Sequence, residues 1–269
     1  MKKLEKIIPI ALICILSANV ACAGSARDAW THLIGKKFED RPEFAYVENN
    51  PSLPNVLIYG DSISIGYTQR VREDLKDKAN VYRLYCNGGD SASFIEKMTM
   101  MHDTMSDKGL DHPWKFQWDV IQFNVGLHDL KYVANRKLDK KEGKQVSSID
   151  EYMKNLDDNV AYMSKLSPGA KLIFATTTPV PEGEPGRFAG DARKYNEAAL
   201  KVMRKYPEII INDLFAFTKA NHSEWWSKPG NVHYNQDGKN AQGDEVARVI
   251  LETLTKSNKA LKASGQSAL

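Results

Sequence analysis

Val56-Leu57-Ile58-Tyr59-Gly60-Asp61-Ser62-Ile63-Ser64-Ile65-Gly66-Tyr67 is the stretch on which the reading of the chain turns. A short apolar, β-branched run reads as a buried strand, breaks at Gly60-Asp61-Ser62, and resumes at helical spacing through Gln69 to Leu75. Strand, tight turn and helix together put Ser62 at the carboxyl end of a sheet, beside a helix N-terminus. Open α/β sheets place their ligands there, and a helix N-terminus favours a developing negative charge. Two roles fit. Asp61 and Ser62 are both preferred N-cap residues, and Ser62 also stands where a nucleophile would.

Outward from this stretch the same rhythm repeats. Val81–Tyr85 alternates like a strand and ends at Asn87-Gly88-Gly89-Asp90-Ser91, before helical spacing from about Ala92 to Met101. Val120–Asn124 is a third strand, closed by Val125-Gly126-Leu127-His128-Asp129. Residues 131–148 are polar and charged, a loop of the kind that shapes a cleft. Ser148 and Glu151 read as a capping box opening a helix whose apolar positions are Tyr152, Leu156, Val160, Met163 and Leu166. Leu172–Thr176 and Ile209–Ile211 complete five strands, separated by a loop to Gly190 and a helix from about Asp191 to Lys205. Gly230-Asn231-Val232-His233-Tyr234-Asn235 precedes a last helix from about Lys239 to Leu254, with a frayed tail after Lys256. Residues 25–54 lack a clear period and read as a lead-in packed across the surface. Alternating strands and helices predict a three-layer α/β/α sandwich around a mainly parallel five-stranded sheet. In such a sheet the glycine-bearing strand ends share one edge.

The N-terminus is set apart by composition. Lys2, Lys3 and Lys6 precede an apolar run from Ile7 to about Ala18 and a small-residue end at Ala21-Cys22-Ala23, the pattern of a secretory signal peptide. Residues 1–23 are expected to be removed, leaving residues 24–269 as one domain with its core at about 54–255, periplasmic or secreted. Cys22 also permits lipid attachment, so a membrane-anchored lipoprotein is the alternative; Asn19 stands where lipoprotein signals usually carry Leu. The whole chain has a formal charge of +3, and the segment 1–23 takes three lysines and one glutamate with it, leaving +1. That balance gives no electrostatic case for nucleic acid. Of three cysteines only Cys86 lies outside the segment, so no internal disulfide is expected.

A serine hydroxyl needs a base to take its proton. His233 is the best placed of six histidines, in a turn just before the last helix, whereas His32, His102, His112 and His222 read as surface or structural residues. Acyl transfer also needs donors aimed at an oxyanion. The backbone N–H of Gly89 and a ring N–H of His128 are candidates, although Gly89 can equally serve only a positive φ and His128 can equally be a buried structural residue. No metal ligand spacing and no cofactor motif is evident. Trp225 and Trp226 read either as a sugar-stacking platform or as packing residues.

The ordered set Gly60-Asp61-Ser62, Gly89-Asp90-Ser91, Gly126-Leu127-His128-Asp129 and His233 resembles the four blocks of the SGNH (GDSL) hydrolase superfamily, from about Val56 to Leu254. The first block is similar to the thioesterase I/lysophospholipase L1 branch, and Phe123-Asn124 through Lys131 with the Thr-Thr-Thr-Pro-Val-Pro loop resembles secreted carbohydrate-esterase-like members. The resemblance implies a flavodoxin-like fold, with Ser62 as nucleophile, His233 as base, and Ser62 N–H and Gly89 as oxyanion donors. It departs in two places: His128 replaces the usual oxyanion asparagine, with an expected change in pH dependence, and Gly230 replaces the aspartate that orients the histidine. Asn231 or a backbone carbonyl is left to orient His233. The expected function is a cofactor-free serine esterase acting on acetyl or other short acyl esters, small or on glycans. The alternatives are a lysophospholipase or thioesterase, and a glycan-binding protein that has lost catalysis.

Overall fold

The computed structural model describes residues 24–263; the expected signal segment 1–23, with Cys22, and residues 264–269 lie outside the described residues. In chain order the elements are α1 (Ala26–Ile34), β1 (Asn55–Gly60), α2 (Ser62–Asp74), β2 (Asn80–Arg83), α3 (Phe94–Met105) and β3 (Val120–Asn124). Three short strands follow, β4 (Tyr132–Ala134), β5 (Lys137–Leu138) and β6 (Lys144–Gln145). The chain closes with α4 (Ile149–Leu166), β7 (Lys171–Ala175), α5 (Asp191–Met203), β8 (Ile210–Asn212), α6 (Leu214–Lys219), α7 (His222–Trp225) and α8 (Gln236–Ala263).

The main sheet has the order β2-β1-β3-β7-β8, and every pairing in it is parallel. Helix α2 packs against α8 on one face, while α3, α4 and α5 form the other layer. The expected three-layer sandwich is therefore what the chain builds. Strand β1 is central and buried along its whole length, which explains why its sequence is continuously apolar rather than alternating. Full burial of a side chain such as Leu57 or Ile58 stabilises by roughly 1.5–3 kcal/mol. The chain leaves β1 toward β2 and then crosses back to β3 on its other side, so a crevice opens at the carboxyl end of β1. Glycine is required there: a Cβ on Gly88 would lie 2.8 Å from the carbonyl oxygen of Gly60, so the turns after β1 and β2 touch through backbone.

Several boundaries differ from the sequence reading. Residues 25–54 include α1, with Ser25 capping Asp28 N and a narrow buried stripe of Ala26, Trp30 and Ile34. Three apolar positions at four-residue spacing are too few to stand out in a polar context. The polar segment 131–148 is not an open loop but a flap of three antiparallel strands, β5-β4-β6, with both shortest strands mostly exposed. Strands of two residues carry no usable period. The last helix begins at Gln236 and continues to Ala263, beyond the tail expected after Lys256. The capping box holds in both directions: Glu151 N donates to Ser148 Oγ, and Ser148 N donates to Glu151 Oε2. Among the described residues no helix is long and apolar enough to cross a membrane.

Candidate active site

Ser62 is the first residue of α2, and Asp61 is its N-cap, accepting from Ile63 N at 2.9 Å. Cap and candidate nucleophile are thus adjacent residues, and Asp61 takes the capping role. Its other oxygen is buried without a hydrogen bond, and burial pushes its carboxyl up to about 6, opposed by the bond from Ile63. Ser62 N–H sits at a helix position that has no intrahelical acceptor, which leaves it free to donate outward.

His233 reaches the serine from the opposite wall. Its Nε2 lies 2.9 Å from Ser62 Oγ. Val232 and Tyr234 on either side are buried, so local alternation turns His233 outward between two anchors. The anchors are tied back by Ser227 N donating to His233 O, Asn235 N donating to Trp225 O, and a Trp226–Tyr234 bridge. Trp225 and Trp226 therefore pack and hold the histidine segment; neither lines the cleft around the serine.

The orienting partner is Asn231. Its Oδ1 accepts from His233 N at 2.8 Å and faces His233 Nδ1 at 2.7 Å. A backbone N–H can only donate, so the amide must present its oxygen, and Nδ1 must then carry the ring proton. That leaves Nε2 unprotonated toward Ser62 Oγ, the tautomer a general base needs. An aspartate at position 230 would be strained: Gly230 has φ +69°, and a Cβ there would lie 3.1 Å from Gly183 O. Partial burial lowers the His233 pKa first, Arg187 and Lys239 lower it further, and Glu184 opposes them.

His128 lines the same cleft, of about 540 Å³, as Ser62 and His233. Lys131 Nζ lies 3.1 Å from His128 Nδ1. An ammonium only donates, so Nδ1 is the acceptor and the proton sits on Nε2. Burial, then the charge of Lys131, pushes His128 down to about 3. At that value the ring is neutral near pH 7 and would donate Nε2–H without a charge. Gly89 is placed differently from the other candidates. Its N–H donates to Asn87 Oδ1 at 3.0 Å, and it is Asn87 that lines the cleft.

Buried polar residues hold these blocks together. Asp129 accepts from Ser91 N, Ser91 Oγ at 2.6 Å and Ser147 Oγ at 2.8 Å, joining the second and third blocks to the end of the flap. Burial pushes Asp129 up to about 6, against those hydrogen bonds. Asn124 Nδ2 donates to Ala175 O and Thr176 O, closing the ends of β3 and β7. Arg187 donates through Nε to Leu127 O at 2.8 Å and through Nη1 to Glu184 at 2.6 Å, beside His128. Lys131, Asn87, Glu184 and Arg187 were not singled out by the sequence. Their signals were membership of two polar loops for Lys131, Glu184 and Arg187, and of the turn before Gly89 for Asn87.

Solved structures of the same fold include a lipase/acylhydrolase from Enterococcus faecalis, at 16% identity over 74% of this chain and 96% of that one, TM-score 0.56. They also include the acetyl xylan esterase AlAXEase, at 20% identity over 73% and 99%, TM-score 0.54. A third is the acetylxylan esterase Axe2 from Geobacillus stearothermophilus, at 16% identity over 72% and 93%, TM-score 0.52. No protein-family model and no curated protein sequence matches the chain. The architecture is the SGNH hydrolase fold.

Proposed function

We propose that this chain, with its SGNH hydrolase fold, is a serine esterase that removes acetyl or other short acyl groups, on small molecules or glycans. The observation that carries the reading is the continuous relay Ser62 Oγ, His233 Nε2, His233 Nδ1, Asn231 Oδ1, with contacts of 2.9 and 2.7 Å. Ser62 Oγ attacks the ester carbonyl while Nε2 takes its proton. The tetrahedral oxyanion is held by Ser62 N–H, by His128 Nε2–H, and by Gly89 N–H once it leaves Asn87 Oδ1. His233 returns the proton to the departing alcohol, and water attacks the acyl-enzyme with His233 again as base. The fold neighbours named as acetyl xylan esterases support short-acyl chemistry on a saccharide. A cleft lined largely by polar and charged residues does not favour a long acyl chain, against the lysophospholipase or thioesterase alternative.

Two observations favour a second reading, a glycan-binding protein of low activity: the neutral Asn231 where a carboxylate would stabilise imidazolium, and the engaged N–H of Gly89. The segment 1–23 supports a periplasmic or secreted location, with lipid anchoring through Cys22 as the alternative. Fluorophosphonate labelling and 4-nitrophenyl acetate hydrolysis test the choice. Wild-type protein is expected to label and turn over, with Ser62→Ala abolishing labelling and lowering kcat by roughly 10⁶-fold. Hydrolysis undiminished in folded Ser62→Ala would reject the esterase. Absence of both labelling and turnover in wild-type protein would select the binding reading.

A further inference from the structure

The cleft beside the dyad is cationic out of proportion to the chain. Lys131, Arg136, Lys137 and Arg187 line it, against one acid, Glu184. Glu184 is already committed, its Oε1 to Arg187 Nη1 and its Oε2 to Gly186 N. Among the described residues no carboxylate lies within ion-pair distance of Lys131, Arg136 or Lys137. Without residues 1–23 the chain carries only +1, so this concentration is local and does not follow from overall basicity. Clustered unpaired cations repel one another, and in a cleft with low-dielectric walls they focus a potential that draws anions.

The flap holds two of these charges at the mouth. Arg136 occupies the β4–β5 turn with φ 63°, after Asn135 with φ 49°. Glycine is the usual residue at the second position of such a turn; an arginine there keeps a strained backbone and presents a guanidinium suited to bidentate oxyanion contacts. The flap is docked by Tyr132 N donating to Gly186 O at 2.7 Å and by Lys140 Nζ donating to Glu184 O at 2.8 Å. At the two rings burial comes first, and the charges that then disfavour protonation are Lys131 and Arg187 at His128, against Asp90, and Arg187 and Lys239 at His233, against Glu184.

We infer that the ester taken by this cleft carries an oxyanionic group, a carboxylate or a sulfate, on its alcohol half, seated against Arg136 and Lys137. With an acyl group as short as acetyl seated at Ser62 and the oxyanion donors, only the alcohol half is long enough to reach the flap residues of the same cleft. This rests on the esterase reading of the same site, and binding separates the two. Calorimetry on Ser62→Ala protein uses three unacetylated probes of matched length: trigalacturonate, a sulfated galactotriose and neutral xylotriose. At least one anionic trimer is expected to bind about tenfold or more tighter than xylotriose, with the advantage shrinking as NaCl rises from about 20 to about 500 mM. The tighter of the two anionic probes identifies the group. Both side chains are exposed, so Arg136→Ala/Lys137→Ala is expected to fold and to bring the anionic-to-neutral ratio close to unity. Equal affinity for charged and neutral trimers, or a preference kept by the double variant, would overturn the inference. An inactive wild-type protein that still prefers anions removes only the esterase reading; an active one without the preference removes only this inference.

Discussion

The two walls of the cleft are built on different principles. The serine wall is set by backbone: β1 is buried throughout, the turns after β1 and β2 meet through Gly60 and Gly88, and Asp61 caps α2. The histidine wall is set by side chains on irregular chain, with Val232 and Tyr234 as plugs and Asn231 Oδ1 gripping both the backbone and the ring of His233. Backbone pairing in a sheet tolerates many sequences at each position. A side-chain grip has one geometry and one chemistry. The nucleophile should therefore tolerate apolar exchanges along β1 so long as Gly60, Gly88 and the Asp61 cap are kept, whereas the base should respond strongly to single substitutions around it.

The largest expected effect within this comparison falls on the bridge between the walls. His128 is neutral and offers Nε2–H because Lys131 occupies Nδ1. His128→Ala is expected to lower kcat by about 10²–10³-fold with KM little changed, the signature of a donor used only in the transition state. His128→Asn should restore most of the loss by supplying an amide N–H from the same position. A His128→Ala effect confined to KM would place the ring in ground-state binding and take it out of the oxyanion site.

Next in size is the grip itself. Asn231→Ala removes the side-chain acceptor that Nδ1 has among the described residues and frees the ring to populate the wrong tautomer, so kcat is expected to fall by roughly 10²-fold. Asn231→Asp keeps the acceptor and adds a charge, which favours imidazolium; activity near pH 7 should be kept or raised, and the acid limb of the pH profile should move upward. If Asn231→Ala loses no activity, the tautomer is fixed by something other than this amide.

The contrast also explains what could be read from the sequence. The central strands, the Ser148–Glu151 box, the Asp61 turn and the turn that carries His233 before the last helix were legible because each is encoded within about ten consecutive residues, by period, cap or turn residues. Asn231 was one of two candidates for orienting the ring, and only the position of His233 N selects it. Arg187 acts on a residue 60 positions away, while Lys131 and Asn87 act 3 and 2 positions away through side-chain directions that no period, cap or alternation encodes. The flap escaped notice for the same reason, since its strands are held by pairing with each other and by docking on residues 184–186.

The smallest expected effect is the most direct probe of the field on the histidine wall. A general base works in its neutral form, so kcat/KM should fall as pH drops through the pKa of His233 in the free enzyme. Partial burial, then Arg187 and Lys239, hold that pKa below the ordinary imidazole value, which puts the acid limb below about 6.5. The stem of Lys239 lies over Gly66 in the second turn of α2, so the residue joins the two walls without touching the reacting atoms. Lys239→Gln keeps that stem and deletes the charge. Imidazolium is then less disfavoured, the pKa rises, and the acid limb should move to higher pH by about a few tenths of a unit, less at high salt. His128→Ala should leave the limb in place, because that ring is already neutral there. A limb that moves with His128 but not with Lys239 would mean that His128, and not His233, is the titrating base, and would take that role away from the histidine wall.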